Sequence, residues 1–159
     1  MKLRGQKLYL FIALIFSLVG LDQITKFWAK NHVQGQPPTI YLGDFFRFEY
    51  AENTGAFLSL GAQLSESMRF LLFTLMTGLF LGYSSYYLVK KNLSTLSQFG
   101  FVLIIAGGIG NLIDRAYYGY VVDFMNMGLG PYLRTGIFNI ADVAIIIGMF
   151  ILIFSKDPA

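Results

Sequence analysis

The sequence predicts an all-α membrane protein: four transmembrane helices, with a small β region and an interfacial loop or short helix on one face. Three observations lead there. Of 159 residues, 55% are hydrophobic and 13% charged, whereas a soluble domain carries roughly 25% charged residues. The apolar residues gather in four stretches. The charges are also sorted by sign along the chain, as the retention of Lys and Arg on one side of a membrane requires. A single integral membrane domain over residues 1–159 is expected.

A helix needs roughly 20 apolar residues to cross the bilayer core. Residues 70–89 and 92–113 meet that length without a charge. Residues 8–21 are uncharged but short, and reach spanning length only by including Asp22. Residues 135–155 are apolar except for Asp142. The expected spans are about 8–28, 68–90, 92–114 and 136–155. Lys2, Arg4 and Lys7 precede the first stretch in the manner of a signal peptide. No small-residue cleavage site follows them, so an uncleaved first span is expected.

Four spans place the N-terminus, the Lys90-Lys91 turn and the tail with Lys156 on one side. Those segments hold six of the twelve basic residues and one acid, Asp157. By the positive-inside rule both termini are cytoplasmic. The other eight acids, Asp22, Asp44, Glu49, Glu52, Glu66, Asp114, Asp123 and Asp142, then fall on the outer side. There Phe46, Phe48 and Tyr50 alternate with Arg47, Glu49 and Ala51 after a Gly43-Asp44 turn signal, which reads as a hairpin over 39–51 within an outer β region of about 39–60. Residues 115–134, rich in Gly and Tyr, read as an interfacial loop with a short helix.

Composition also narrows the chemistry. No cysteine and one histidine, His32, exclude disulfides, thiol nucleophiles, Cys/His zinc sites and nearly any imidazole mechanism. A net charge of +3 is too small to suggest nucleic acid. Residues 107–110 lie inside a span with no following Lys, so they form no phosphate loop. A Ser59 dyad with Lys26 or Lys30 has no spacing to support it, and His32 reads as a solvated loop residue. Most Phe and Tyr residues read as facing lipid or the interfacial belt.

Acids at the edge of a span are costly and usually face the protein interior. Asp22 and Lys26, four apart on a helix, are explained by an ion pair, and Asp114 reads as neutralised by the adjacent Arg115. Asp123, in Val121-Val122-Asp123-Phe124, and Asp142, in Phe138-Asn139-Ile140-Ala141-Asp142, have no local counter-ion. Two carboxylates brought together at an apolar boundary share a proton. The ionised one then takes a proton from water while the protonated one polarises a carbonyl, which is the chemistry of an aspartic protease. Asn53-Thr54-Gly55-Ala56 and Gly110-Asn111-Leu112-Ile113-Asp114-Arg115 add amides able to hold an extended peptide by its backbone. Read alone, they are also ordinary turn and helix-packing residues.

These motifs, with Asp22-Gln23-Ile24-Thr25-Lys26 and Val122-Asp123-Phe124, appear in an order and layout that resemble the bacterial lipoprotein signal peptidases (signal peptidase II) over nearly the whole chain. The resemblance implies a membrane aspartic endopeptidase with Asp123 and Asp142 as the catalytic pair. It implies that Asp22, Asn53, Gly55, Gly107, Asn111, Asp114, Arg115, Asn139 and Ala141 shape the site or bind substrate, which revises the structural readings of Asp22 and Asp114. It implies a prolipoprotein substrate with a diacylglyceryl-modified Cys, cut just before that Cys, and a β-sheet cradle on the outer surface of the inner membrane. One departure stands out: Phe57 occupies the place where the family commonly has a second Ala, a bulky ring near the substrate cleft.

The expected partners are lipidated prolipoproteins and membrane lipid, with no nucleic acid, no cofactor and no metal, and the chain is expected to act as a monomer. The rival reading is a small proton-coupled transporter, since intramembrane carboxylates also form proton relays. Acids clustered at one face, without an inverted repeat, count against it. A non-catalytic scaffold would leave the cost of Asp142 in a span unexplained.

Overall fold

The chain enters the membrane on one unbroken helix, Gly5–His32. β1 (Thr39–Tyr41) and β2 (Phe46–Asn53) follow as an antiparallel hairpin, so the alternating aromatic segment is the hairpin its pattern predicts. The second helix covers Glu66–Lys90 and loosens into a π-helical turn at Phe70–Leu75. The third runs Thr95–Tyr118, β3 covers Val121–Leu129, β4 is Leu133–Arg134, and the fourth helix is Ile140–Phe154. The computed structural model describes residues 5–55, 61–130 and 133–158. Phe57 and Ser59 lie outside the described residues.

Among the described residues three helices are long and apolar enough to cross a membrane, and the 15-residue fourth is apolar but shorter. It begins at Ile140 rather than near 136 because Phe138 is used as a strand, bridging to Met125.

The second outer segment corrects the loop-and-helix expectation. The third helix continues to Tyr118 and stops at Gly119, whose φ of +79° suits a residue without a Cβ. Val121–Leu129 then becomes an inner strand of a four-stranded sheet ordered β1-β2-β3-β4. Its first four residues are all buried. An inner strand covered on both faces does not show the polar alternation that marks a half-exposed one. β2 and β3 pair Phe48 with Met125 and Ala51 with Asp123, with a register shift between. That pairing carries Asp123 to the edge of the membrane helices.

Lipid offers apolar helix faces no hydrophobic reason to associate, so small and polar residues do the docking. The first helix buries only Asp22, Lys26 and Ala29; this is one face of the helix, and two of its three residues are charged. The third and fourth helices meet through glycine. A Cβ on Gly148 would sit 2.7 Å from the Gly100 carbonyl oxygen, and one on Gly107 would overlap the carbonyl oxygen of Ala141. One apolar cluster, Leu88, Leu93, Val102 and Ile105, packs the end near the Lys90-Lys91 turn. At the other end Ala29, Val33 and Phe124 join the first helix to the sheet, with Phe48 packed against them. Trp28 meets Phe48 edge-on at 5.2 Å, so some of the aromatics assigned to lipid instead fasten the sheet to the helix. His32 is the last residue of the first helix, exposed and stacked on Trp28, not part of a loop.

Candidate active site

The site is built around the start of the fourth helix. The first N–H groups of a helix have no partner within it. Asn139 caps this one: its Oδ1 accepts the Asp142 N–H at 2.9 Å, and its own N–H donates to Asp142 Oδ2 at 3.2 Å, a reciprocal capping box. The Ala141 N–H donates to Asp22 Oδ1 at 3.0 Å, so the first helix supplies a carboxylate to the same helix end.

Asn139 also joins the two candidate carboxylates. Its Nδ2 donates to Asp123 Oδ1 at 2.7 Å and to Asn111 Oδ1 at 3.0 Å. Asn111 Nδ2 in turn donates to Asp142 Oδ1 at 2.8 Å. Asn53, at the end of β2, donates to Asp123 Oδ2 at 3.1 Å. Four parts of the chain, β2, β3, the third helix and the fourth helix cap, therefore converge on one pair of acids. Their surroundings differ. Asp123 is buried, while Asp142 is partly open. Burial first, and then the charge of Asp142, push the Asp123 carboxyl up to about 7, against the hydrogen bonds from Asn53 and Asn139. Among the described residues neither acid is in an ion pair.

Behind the pair lies a second carboxylate pair held by one cation. Lys26 Nζ donates to Asp22 Oδ2 at 2.8 Å, Asp114 Oδ2 at 3.0 Å and Asn111 Oδ1 at 2.9 Å, which uses all three of its hydrogens. Gln23 Nε2 bonds Asp114 Oδ1 at 3.0 Å and the Gly110 carbonyl at 3.1 Å, and the Val122 N–H reaches Asp114 Oδ2 at 3.0 Å. Gly110 leaves room for this: a Cβ there would lie 2.5 Å from Asp22 Oδ2.

The Asp22–Lys26 pair is thus the one its spacing predicts, but Asp114 is neutralised by Lys26 and not by its neighbour Arg115. Arg115 turns instead to the Gly55 carbonyl at 3.0 Å. Asp22, Asn53, Asn111, Asp114 and Asn139 are brought together around the acids. Gly55 and Arg115 form an adjoining contact, and Gly107 meets Ala141 where the third and fourth helices touch. Sequence reasoning missed Gln23 and the triple role of Lys26. The available signal was a second polar residue beside Asp22 inside a span.

A membrane protein whose helices and sheet bring two carboxylates to one asparagine, with no nucleophilic thiol or imidazole beside them, has the make-up of an aspartic peptidase. Comparison with known proteins agrees. The family model for signal peptidase (SPase) II matches residues 14–156. The lipoprotein signal peptidase of Psychromonas ingrahamii is 39% identical over 143 residues, covering 87% of this chain and 79% of the relative. That of Clostridioides difficile is 33% identical over 139 residues, covering 87% of this chain and 88% of the relative. Two solved structures described as bacterial membrane enzymes superpose with TM-scores of 0.78 at 29% and 28% identity, each covering 90% of this chain and 84% and 89% of theirs. The chain belongs to the signal peptidase II family, and is an aspartic endopeptidase embedded in a membrane.

Proposed function

We propose that the protein removes the signal peptide from diacylglyceryl-modified prolipoproteins by cutting just before the lipidated Cys, with Asp123 and Asp142 as the catalytic pair. The observation that carries this is the bridge through Asn139, which ties both carboxylates to one residue yet leaves them in unlike surroundings. Asp142 holds two N–H donors and sits in the first turn of a helix, where negative charge is favoured. Asp123 is buried and its carboxyl is pushed up to about 7. Asp142 is therefore the base and Asp123 the acid.

Asp142 takes a proton from water as the water oxygen bonds to the scissile carbonyl carbon. Asp123 gives its proton to the carbonyl oxygen, forming a neutral gem-diol. The proton on Asp142 then passes to the departing amide nitrogen as the C–N bond breaks, and Asp123 recovers its own as the carbonyl re-forms. Arg115 and Gly55, joined at 3.0 Å, adjoin the acids and would meet the extended peptide backbone of a substrate. The basic ends at Lys7, Lys90, Lys91 and Lys156 favour cytoplasmic termini and an active site near the outer face. A lipidated substrate then reaches it laterally.

The test is an assay of purified wild-type, Asp123→Asn and Asp142→Asn protein on a diacylglyceryl-modified precursor in detergent. Both variants should insert and lose cleavage. Near-normal processing by either one would remove that residue from the chemistry.

A further inference from the structure

At the opposite end of the helices from the acids, the second helix does not close against the fourth. Phe80, Tyr83 and Tyr87 on its one face, Phe101 of the third helix and Leu152 of the fourth line a cavity of about 340 Å³. Phe80 and Tyr83 are exposed, so the cavity opens sideways into the bilayer. The seven helical steps from Phe80 to Tyr87 give it a length of about 10 Å along the helix.

Its lining changes character towards the Lys90-Lys91 turn, where Ser155 and Asp157 complete the wall. The Ser97 hydroxyl donates to Ser155 Oγ at 2.8 Å, and the Ser94 N–H donates to Asp157 Oδ1 at 2.9 Å. The negative charge of Asp157 is thereby spent on the start of the third helix. Among the described residues the lysines near this mouth have no carboxylate partner. Lys91 Nζ lies 5.9 Å from the Tyr87 ring centre, Lys156 stands between Ser155 and Asp157, and among the described residues neither they nor Lys90 is in an ion pair.

We propose that this cleft is a binding site for one anionic glycerophospholipid, its acyl chain against Phe80, Phe101 and Leu152 and its headgroup at Lys91 and Lys156. A largely apolar slot open at the helix surface, with cations free of ion pairs beside its mouth, matches an amphiphile of that charge. Basic pockets between transmembrane helices bind anionic headgroups in this way. The site rests on the proposed sidedness only for its leaflet, the cytoplasmic one. It is separate from the acids, so its occupancy is measured independently of cleavage.

The test is native mass spectrometry of the whole protein titrated in micelles with phosphatidylglycerol and with phosphatidylcholine of the same chains. One phosphatidylglycerol should be retained in preference to phosphatidylcholine. Removing a lysine (Lys91→Gln, Lys156→Gln) should weaken that binding about fivefold each. Filling the slot with Ser84→Phe should abolish it. Leu152→Trp, from the opposite wall, makes the same test should Ser84→Phe fail to fold. Equal retention of both lipids overturns the proposal. So does phosphatidylglycerol lost from the lysine variants but kept when the slot is filled, which means attraction to the surface alone. A dimer that disappears on filling the slot identifies a second copy as the occupant and overturns it too.

Discussion

Replacing Lys26 by Met leaves the volume nearly unchanged and removes a cation on which three acceptors depend. Lys26, Asp22 and Asp114 are 2%, 1% and 1% exposed, so water does not replace what is lost. Asp22 forfeits its 2.8 Å partner and keeps the Ala141 N–H; Asp114 forfeits its 3.0 Å partner and keeps the Val122 N–H and Gln23. Breaking a buried ion pair by removing one partner costs about 3–5 kcal/mol. Two carboxylates share this cation, so the upper end, about 4–5 kcal/mol, is expected. That is about a quarter or more of the total stability of a typical domain, which is about 5–15 kcal/mol. The assay is thermal unfolding in detergent, followed by circular dichroism. Lys26→Met combined with Asp114→Asn should unfold later than Lys26→Met alone, since one stranded charge is gone. The single variant unfolding within about 1 kcal/mol of wild type, or no recovery in the double variant, would refute the placement of both carboxylates on Lys26.

On the proposed mechanism Asp123 donates its proton only while neutral, so kcat/KM should fall as pH rises through about 7, the value to which its carboxyl is raised. The same raised value means the folded chain holds this proton more tightly than the unfolded one. Stability attributable to Asp123 is therefore full below about pH 4 and declines towards pH 7. Asp123→Asn should remove that decline, read as the difference between the two stability–pH curves. Parallel curves would contradict the burial argument. Asn139→Ala removes an N-cap, about 1 kcal/mol, and also the bridge between the acids. Its kcat should fall by about a hundredfold or more, as for small misplacements of reacting groups, with KM nearly constant; a change confined to KM would make Asn139 a substrate contact instead. Gly110→Val brings bulk against Asp22, and should lower both the unfolding temperature and activity.

The helices were legible because apolar runs of spanning length have few alternative readings. The β1–β2 hairpin was legible because aromatic residues alternate with Arg47, Glu49 and Ala51 after a turn signal. β3 was not, since a strand with neighbours on both sides and cover on both faces reads as a plain apolar run. In the site, Asp123 and Asp142 stood out by lacking nearby counter-ions. Arg115 was assigned to Asp114 by adjacency, yet neighbours on a helix point about 100° apart and do not face each other. The partner that Asp114 does have, Lys26, lies on another helix, and no local spacing relates the two. The reciprocal capping at Asn139 also depends on where the fourth helix begins, and hydropathy alone places that boundary several residues too early.

That fourth helix has a mechanical consequence. Fifteen residues rise about 22 Å, some 8 Å less than a typical hydrocarbon core. A wall too short for its bilayer draws the surrounding lipid thin, at fractions of a kcal/mol per Å of mismatch. On the proposed function and sidedness, thinning beside Asp142 would bring the leaflet surface towards the acids, so a lipid-anchored peptide would need to descend less to meet them. Turnover should therefore fall in vesicles of graded, longer acyl chains while the Asp123→Asn variant stays inactive in all of them. Turnover independent of chain length would show that the helix start, not the membrane, does the accommodating.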